Sequence, residues 1–334
     1  MTLRWGIAGP GRIARGIARD LQIVEGCELV AVGSRSLARA EAFAAEFAEP
    51  GSGARAHGSY RELLADDDVD VVYVSTPHRQ HAAIARAALA AGKAVLVEKS
   101  FTCTLAGAQG VVDAAREHRR FAMEAMWTRF APLVVRMREL TADGAIGDVR
   151  AVHADLGVVK PVDPLDRLWD PAQGGGALLD VGVYPVAFAQ MLLGTPDSVQ
   201  VRGMLGPTGV EQDAALLLGW DDGRWAMLDC SLRMPLAGAA AIVGTAGRID
   251  VLPRFHHPTE LVLSRVGAEP ERVTAPLVGG GYSHELVEVR DRIAAGETES
   301  AVMPLADTLA VMGVLEQSLH ALGVHLTEDD TVDA

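Results

Sequence analysis

The chain has 334 residues and a mass of 35.2 kDa, enough for one large or two ordinary domains, each with a real core. With 49% hydrophobic and 22% charged residues it has a globular composition, which excludes long disordered stretches. A formal charge of -14 argues against nucleic acid or an anionic membrane surface as the main partner, and no uncharged apolar stretch reaches transmembrane length.

The pattern predicts a short buried strand over 3–8 ending at Gly9, a helix over 13–21, a strand over 28–32 and an alanine-rich helix over 37–47. A Pro-Gly-Ser-Gly loop begins at Pro50. A short helix over 60–64 and a strongly apolar strand over 69–75 come next. A helix over 81–91, capped by Gly92, leads to a strand over 94–97, a helix over 105–117 and a strand over 121–125. Strand alternating with helix at this spacing means a doubly wound parallel sheet, an α/β domain over 1–125.

After residue 125 the rhythm changes. A linking helix over 132–140, an alternating strand over 148–157, a glycine-rich run with its helix to about Leu193, and strands and turns over 198–274 read as an α+β domain. Its sheet is expected to be large, open and mostly antiparallel. Two helices, over 283–294 and 304–321, close the chain, the last with the option of packing back on the first domain. The second domain is therefore placed at 126–334.

Gly9-Pro10-Gly11-Arg12-Ile13-Ala14 sits between the first strand and first helix and fits the dinucleotide fingerprint in the context that motif requires. The first glycine makes the tight turn, the second admits a pyrophosphate to the backbone, and the small third residue lets helix pack on strand. The phosphates then face the helix start at Arg12 and Ile13. At the end of the second strand an NAD site calls for an acid on the ribose. This chain has Gly33-Ser34-Arg35-Ser36, with no carboxylate to repel a 2′-phosphate and with Ser34 and Arg35 to bind one. NADP is the expected coenzyme, NAD the alternative. Ser75, Thr76, Pro77 and His78 end the third long strand, His81 follows, and Glu98-Lys99 ends the next, all on the edge where such sheets bind ligands.

The run from Gly174 to Pro185, Gly-Gly-Gly-Ala-Leu-Leu-Asp-Val-Gly-Val-Tyr-Pro, carries Asp180 and Tyr184 four residues apart. On a regular helix that spacing puts acid and phenol on one face. Alone, such a pair is more often a cap and a partly buried phenol. A phenol titrates near ~10 unperturbed, so a base at position 184 needs a cation beside it, and Lys99 is the candidate. Asp180 would orient the lysine and bond a substrate hydroxyl.

These segments, with Gly147-Asp148-Val149, resemble the glucose–fructose oxidoreductase / inositol dehydrogenase family, the Gfo/Idh/MocA group, over nearly the whole chain. Glu124-Ala-Met-Trp127-Thr-Arg129-Phe130 and Arg167-Leu-Trp169-Asp-Pro look most like its dimeric dihydrodiol dehydrogenase and NADP-dependent xylose dehydrogenase branch. The resemblance implies a Rossmann domain and reversible hydride transfer at a hydroxyl or carbonyl carbon of a sugar, polyol or dihydrodiol. It also implies an open sheet used to form a homodimer or homotetramer. The catalytic pair falls on Lys99 and Tyr184, with Asp180 nearby; Trp127, Arg129, Phe130, Arg167 and Trp169 are candidates to line the pocket. The family's Glu-Lys-Pro is here Glu98-Lys99-Ser100, so the bond after Lys99 is either cis without a proline or trans. His78 replaces a frequent asparagine.

Two rival functions remain on the sequence alone. An anhydrosugar or sugar-ketone reductase would use the same site, and a non-catalytic dinucleotide-binding sensor would use the same fold. No metal site is expected: neighbouring side chains in a strand point apart, so His256 and His257 read as a solvated edge or turn. Three widely spaced cysteines, Cys27, Cys103 and Cys230, fit a reducing compartment, and no signal-peptide pattern opens the chain, so a cytoplasmic protein is expected.

Overall fold

The computed structural model describes residues 2–48 and 53–333. Contacts gather the chain into two compact units. The first combines Met1–Trp127, Val278–Thr308 and Thr327–Ala334; the second combines Thr128–Leu277 and Leu309–Leu326. The block expected over 126–334 is thus interrupted twice, because segments far along the chain pack with the first unit.

Among the described residues the first unit holds six strands, β1 (Leu3–Ala8), β2 (Cys27–Gly33), β3 (Arg55–His57), β4 (Val71–Val74), β5 (Ala94–Glu98) and β6 (Ala122–Ala125). They form one sheet in the order β3-β2-β1-β4-β5-β6, and every pairing is parallel. Every residue of β4 and β5 is buried, as continuous apolar strands covered on both faces must be. Between them run α1 (Arg12–Leu21), α2 (Leu37–Glu46), α3 (Tyr60–Leu64), α4 (His78–Ala90) and α5 (Leu105–His118). Gly92 follows α4 with φ +80, the left-handed stop that glycine permits. The three-residue edge strand β3 has no alternating pattern to announce it. The loop expected at Pro50 lies outside the described residues.

The second unit opens with a short 3-10 turn (Trp127–Phe130, of which Trp127 belongs to the first unit) and α6 (Pro132–Ala142). Its eight strands are β7 (Val149–Gly157), β8 (Ser198–Leu205), β9 (Glu211–Gly219), β10 (Trp225–Ser231), β11 (Ala240–Gly244), β12 (Gly247–Val251), β13 (Glu260–Arg265) and β14 (Glu271–Thr274). They form an open sheet in the order β14-β13-β12-β11-β7-β10-β9-β8, in which only β7 with β10 is parallel. The helix α7 (Val183–Leu193), apolar on all sides and almost wholly buried, packs on β7 and β10. Strands β9 and β10 alternate buried and exposed residues, so the other face of the sheet carries Leu217, Trp225 and Met227 outward.

Helix α8 (Ser283–Ala294) packs in the first unit against α1, and the Tyr282 ring at its start lies 2.7 Å from where a side chain on Gly16 would begin. Helix α9 (Leu305–Ala321) gives its first residues to the first unit and the rest to the second.

Candidate functional site

The carboxyl edge of the first sheet is built around Gly9. Its φ is +96, and a Cβ there would stand 3.0 Å from the Ser75 backbone, so glycine alone fits. Ser75 holds that turn twice, donating from its amide to the Ala8 carbonyl at 2.9 Å and from its hydroxyl to the Gly9 carbonyl at 2.9 Å. The space in front of Gly11 is different: a Cβ there would meet only the Gly9 carbonyl, at 3.9 Å. Gly11 caps α1 with no side-chain hydrogen bond, which leaves the first amides of the helix turned to an open cradle. Ala14 is fully buried against the sheet. The buried Thr76 hydroxyl has no hydrogen-bond partner among the described residues. An open cradle, an uncapped helix and an unpaired hydroxyl on one edge fit a dinucleotide.

At the end of β2, the Ser34 hydroxyl accepts from the Ser36 amide at 3.2 Å. Arg35 hydrogen-bonds to the Tyr60 phenol, and Arg39 adds its charge there. Burial pushes that phenol up, against the pull of the two guanidinium groups. Gly33-Ser34-Arg35-Ser36 itself supplies no acid to face a 2′-phosphate; the carboxylate at Tyr60 is that of Asp333, which accepts from the Tyr60 amide at 2.7 Å. Arg12 is exposed beside the cradle and Ile13 half-buried.

Lys99 follows β5 directly. The Glu98 carboxylate accepts from the Lys99 amide at 3.1 Å and, on its other oxygen, from the Tyr73 hydroxyl. The Lys99–Ser100 peptide is cis, which decides between the two backbones open to Glu-Lys-Ser. His81 bridges this turn to the preceding one. One ring nitrogen lies 2.8 Å from the Thr76 carbonyl and the other 3.1 Å from that of Ser100, and a neutral ring can donate to only one. His78 meets His81 edge to face with centroids 5.5 Å apart. Near Glu98 sits Glu285, in the first turn of α8, fully buried, with neither carboxyl oxygen hydrogen-bonded among the described residues. Burial, then the nearby charges of Glu98 and Asp20, push the Glu285 carboxyl well above the usual range.

In the second unit the glycine run is shaped by Glu211 at the start of β9. Gly176 has φ +129, and a Cβ on it would stand 2.2 Å from the Glu211 carboxylate. The same carboxylate accepts from the Leu178 amide at 2.9 Å. Burial raises Glu211 to about 7, although two backbone amides pull it down. Leu178–Gly182 then forms a π-turn, and the Cys230 sulfur lies 2.9 Å from where a Cβ on Gly182 would stand. Asp180 belongs to this turn and Tyr184 to the first turn of α7. The expectation of one regular helix carrying both is therefore corrected, since the wider turn rotates Asp180 relative to Tyr184. Arg167 holds the Asp180 carboxylate at 2.8 Å.

The His256 ring packs on the Tyr184 ring, centroids 5.0 Å apart and planes at 43°. The expected turn is found in the loop after β12, but His256 and His257 are half-buried in it and not solvated. Arg254 takes a left-handed conformation, φ 72, and Phe255 is driven fully into the core against Phe188, which turns the pair inward. Arg254 donates to His257 Nε2 at 2.9 Å; burial, then the Arg254 charge, lowers that imidazole.

Of the expected pocket residues, Trp127 is half-buried and stacks on Tyr282 in the first unit, centroids 4.6 Å apart. Trp169 is fully buried, its indole 2.8 Å from the place of a Gly206 Cβ, and Phe130 is also buried. Arg129, 2% exposed, is tied to the Gln190 amide oxygen. Trp169 and Arg129 thus hold core positions in their unit, where the sequence places them in a lining. His256, Glu211 and Glu285 are missed by the sequence reading. Only His256 gave a signal, as half of a histidine pair.

Residues 3–126 match the family model for the GFO/IDH/MocA oxidoreductases with an NAD-binding Rossmann fold, and residues 134–250 match a GFO/IDH/MocA C-terminal domain. The chain is 37% identical over 340 residues to the trans-1,2-dihydrobenzene-1,2-diol dehydrogenases of Macaca fuscata fuscata and Homo sapiens, covering 98% of itself and 99% of each relative. It is also similar to KijD10, a 3-ketoreductase from Actinomadura kijaniata solved with NADP and TDP-benzene, with a TM-score of 0.84 and 26% identity over 98% of this chain and 100% of that one. With its nucleotide cradle matched by the first model and its open sheet by the second, the chain belongs to the Gfo/Idh/MocA family and is an NAD(P)-dependent oxidoreductase acting at a hydroxyl or carbonyl carbon.

Proposed function

We propose that this oxidoreductase works with NADP on a small hydroxylated molecule, a sugar, polyol or dihydrodiol, with Tyr184 carrying the proton and Lys99 supplying the charge that makes its phenolate accessible. The observation that carries this reading is the cradle at Gly11. It opens beside an uncapped α1 and shares its sheet edge with Arg35 at one end and Lys99 at the other. Bound there, the coenzyme supplies the hydride path. The chain's own residues bind, orient and move protons. The α1 amides and Gly9 hold the phosphates, Arg35 and Ser34 the 2′-phosphate. Glu98 fixes the backbone from which Lys99 projects. Asp180, paired with Arg167, accepts from a substrate hydroxyl, and the Tyr184 oxygen gives or takes the proton of the reacting one.

The names of the relatives support both ends of this reading, one group acting on a dihydrodiol and another solved with NADP. Since a 3-ketoreductase shares the architecture, the same site serves carbonyl reduction when metabolite ratios favour it. The outward face of the second sheet, bearing Leu217, Trp225 and Met227, supports a homodimer or homotetramer formed through that sheet. Among the described residues no helix is long and apolar enough to cross a membrane, and the three free cysteines fit the cytoplasm.

The test is a steady-state screen with NADP and with NAD against xylose, glucose, inositols, trans-dihydrodiols and the matching ketones. Turnover with NADP preferred is expected. Equal rates with both coenzymes would sink the role of Arg35, and no turnover with coenzyme bound would leave the sensor reading.

A further inference from the structure

The imidazole of His256 has a place that its own backbone does not explain. The loop carrying it is held by three anchors. Phe255 is buried edge-on to Phe188 with centroids 5.4 Å apart, Thr128 Oγ1 donates to the His256 carbonyl at 2.6 Å, and Arg254 donates to the His257 ring. None of the three uses the His256 side chain, so any residue at this position could be carried by the same loop. The ring contacts of the imidazole include the Tyr184 ring at 5.0 Å, with the His257 ring edge-on at 4.5 Å and that of Phe255 at 6.0 Å.

Chemistry follows from that placement. An imidazole packed against a phenol offers a donor and an acceptor in one flat ring. The segment leading into Tyr184 adds the Asp180 carboxylate, an acceptor, and the Arg167 guanidinium that holds it, a donor. The ring packed on the proposed proton carrier is therefore polar, and the turn that precedes it in the chain carries a second polar pair. A dihydrodiol presents two adjacent hydroxyls and then bare ring carbons. A sugar or polyol presents a hydroxyl at nearly every carbon, and so repays more than one such group. A buried polar side chain that meets bare carbon loses its hydrogen bonds to water and gains none.

Building on the proposed function, we infer that His256 is a specificity-determining residue, hydrogen-bonding a substrate hydroxyl beyond the one adjacent to the reacting carbon, where an arene dihydrodiol has only ring carbon, and so favouring polyhydroxylated sugars or polyols over arene dihydrodiols. It acts on the substrate and leaves the proton of the reacting oxygen to Tyr184.

The test compares kcat/KM for xylose and for trans-1,2-dihydrobenzene-1,2-diol, with NADP, in the unsubstituted enzyme and in His256→Phe and His256→Gln. The unsubstituted enzyme is expected to prefer the pentose. In His256→Phe the pentose value falls about tenfold or more, mainly through KM, while the diol value stays within about threefold. His256→Gln, which keeps a donor and an acceptor, recovers part of the loss. The ratio of two substrates is read within one protein, so His256→Ala gives the same comparison should His256→Phe not fold. Equal losses on both substrates, an unchanged pentose value, or a diol preference in the unsubstituted enzyme overturns the inference while leaving the oxidoreductase reading intact. No turnover of either class with NADP bound overturns both.

Discussion

Glu211 and Leu178, 33 residues apart in the chain, are joined by a buried hydrogen bond of 2.9 Å that pins the first residue of the π-turn bearing Asp180. Burial lifts that carboxyl to about 7 from an ordinary 4.5. The folded protein therefore holds the Glu211 proton more tightly than the unfolded chain. The stability this lends is complete below pH 4.5 and is lost as pH rises through about 7. The loss amounts to about 3 kcal/mol. In Glu211→Gln, which keeps the acceptor for Leu178, that part of the pH dependence disappears. Urea unfolding of both proteins at pH 5 and pH 8 checks this, and parallel pH dependence in the two would refute it.

Glu285 poses the converse case in the first unit. Its carboxyl is buried with no hydrogen-bond partner among the described residues and close to the Glu98 carboxylate, itself held by Tyr73 and by the Lys99 amide. An unpaired buried polar group costs about 1–3 kcal/mol. Glu285→Met keeps the volume and removes the cost, so it should raise stability by about 1 kcal/mol or more near neutral pH. Because the Glu285 carboxyl is pushed up, the folded unsubstituted protein keeps a proton that the unfolded chain releases, so the gain grows as pH rises above the ordinary carboxyl range. Thermal unfolding at pH 6 and pH 8 measures it. A destabilised Glu285→Met would show that the acid is bonded in solution.

Tyr184→Phe removes the phenolic oxygen and keeps the ring that His256 packs against. With proton transfer assigned to Tyr184, kcat should fall about a hundredfold or more, while the coenzyme dissociation constant, read by fluorescence quenching, stays within about twofold. On the proposed pairing, Lys99→Met should lower kcat similarly and move the rise of the oxidation rate with pH to higher pH, because the cation that favours the phenolate is gone. A near-normal kcat in Tyr184→Phe would move the proton to another group.

Met227, 53% exposed on β10, stands on the outward face of the second sheet near Trp225. A charge there is costly in a sheet-to-sheet contact and harmless in a solvated face. Met227→Glu is expected to turn an oligomer into a smaller species in sedimentation velocity without lowering the melting cooperativity of the unit. An unchanged sedimentation coefficient would place the contact elsewhere.

Much of this was readable from the chain. Fully apolar β4 and β5, the Gly9–Ala14 turn and the cap after α4 each carry a local signal, so the doubly wound unit and its coenzyme edge follow from pattern. The π-turn carries no such signal. It exists because Glu211, distant in sequence, takes the Leu178 amide and Cys230 fills the space at Gly182, and tertiary contacts of that kind have no period. For the same reason nothing local marks Glu285 as buried in the first turn of α8, or Arg129 as bonded to Gln190. The histidine pair reads as a solvated edge or turn, and a turn carries it; the left-handed backbone of Arg254, which no local pattern announces, brings it half inside.

Arg35 offers the sharpest test of the coenzyme. It hydrogen-bonds to the Tyr60 phenol, and Arg39 lies within electrostatic reach of the same group, so two guanidinium groups flank the end of β2 where an NAD site would set an acid. A charge-assisted bond to a phosphate contributes about 1.5–3 kcal/mol, or about ten- to a hundredfold in affinity. Arg35→Ala should therefore raise KM for NADP by about tenfold or more, with Arg39 retaining part of the binding, and leave KM for NAD within about twofold. Salt should weaken NADP binding to the unsubstituted enzyme more than to the variant, since the screened pair is the one removed. Equal changes for the two coenzymes would mean that Arg35 serves Tyr60 and the fold, and that the 2′-phosphate is read elsewhere.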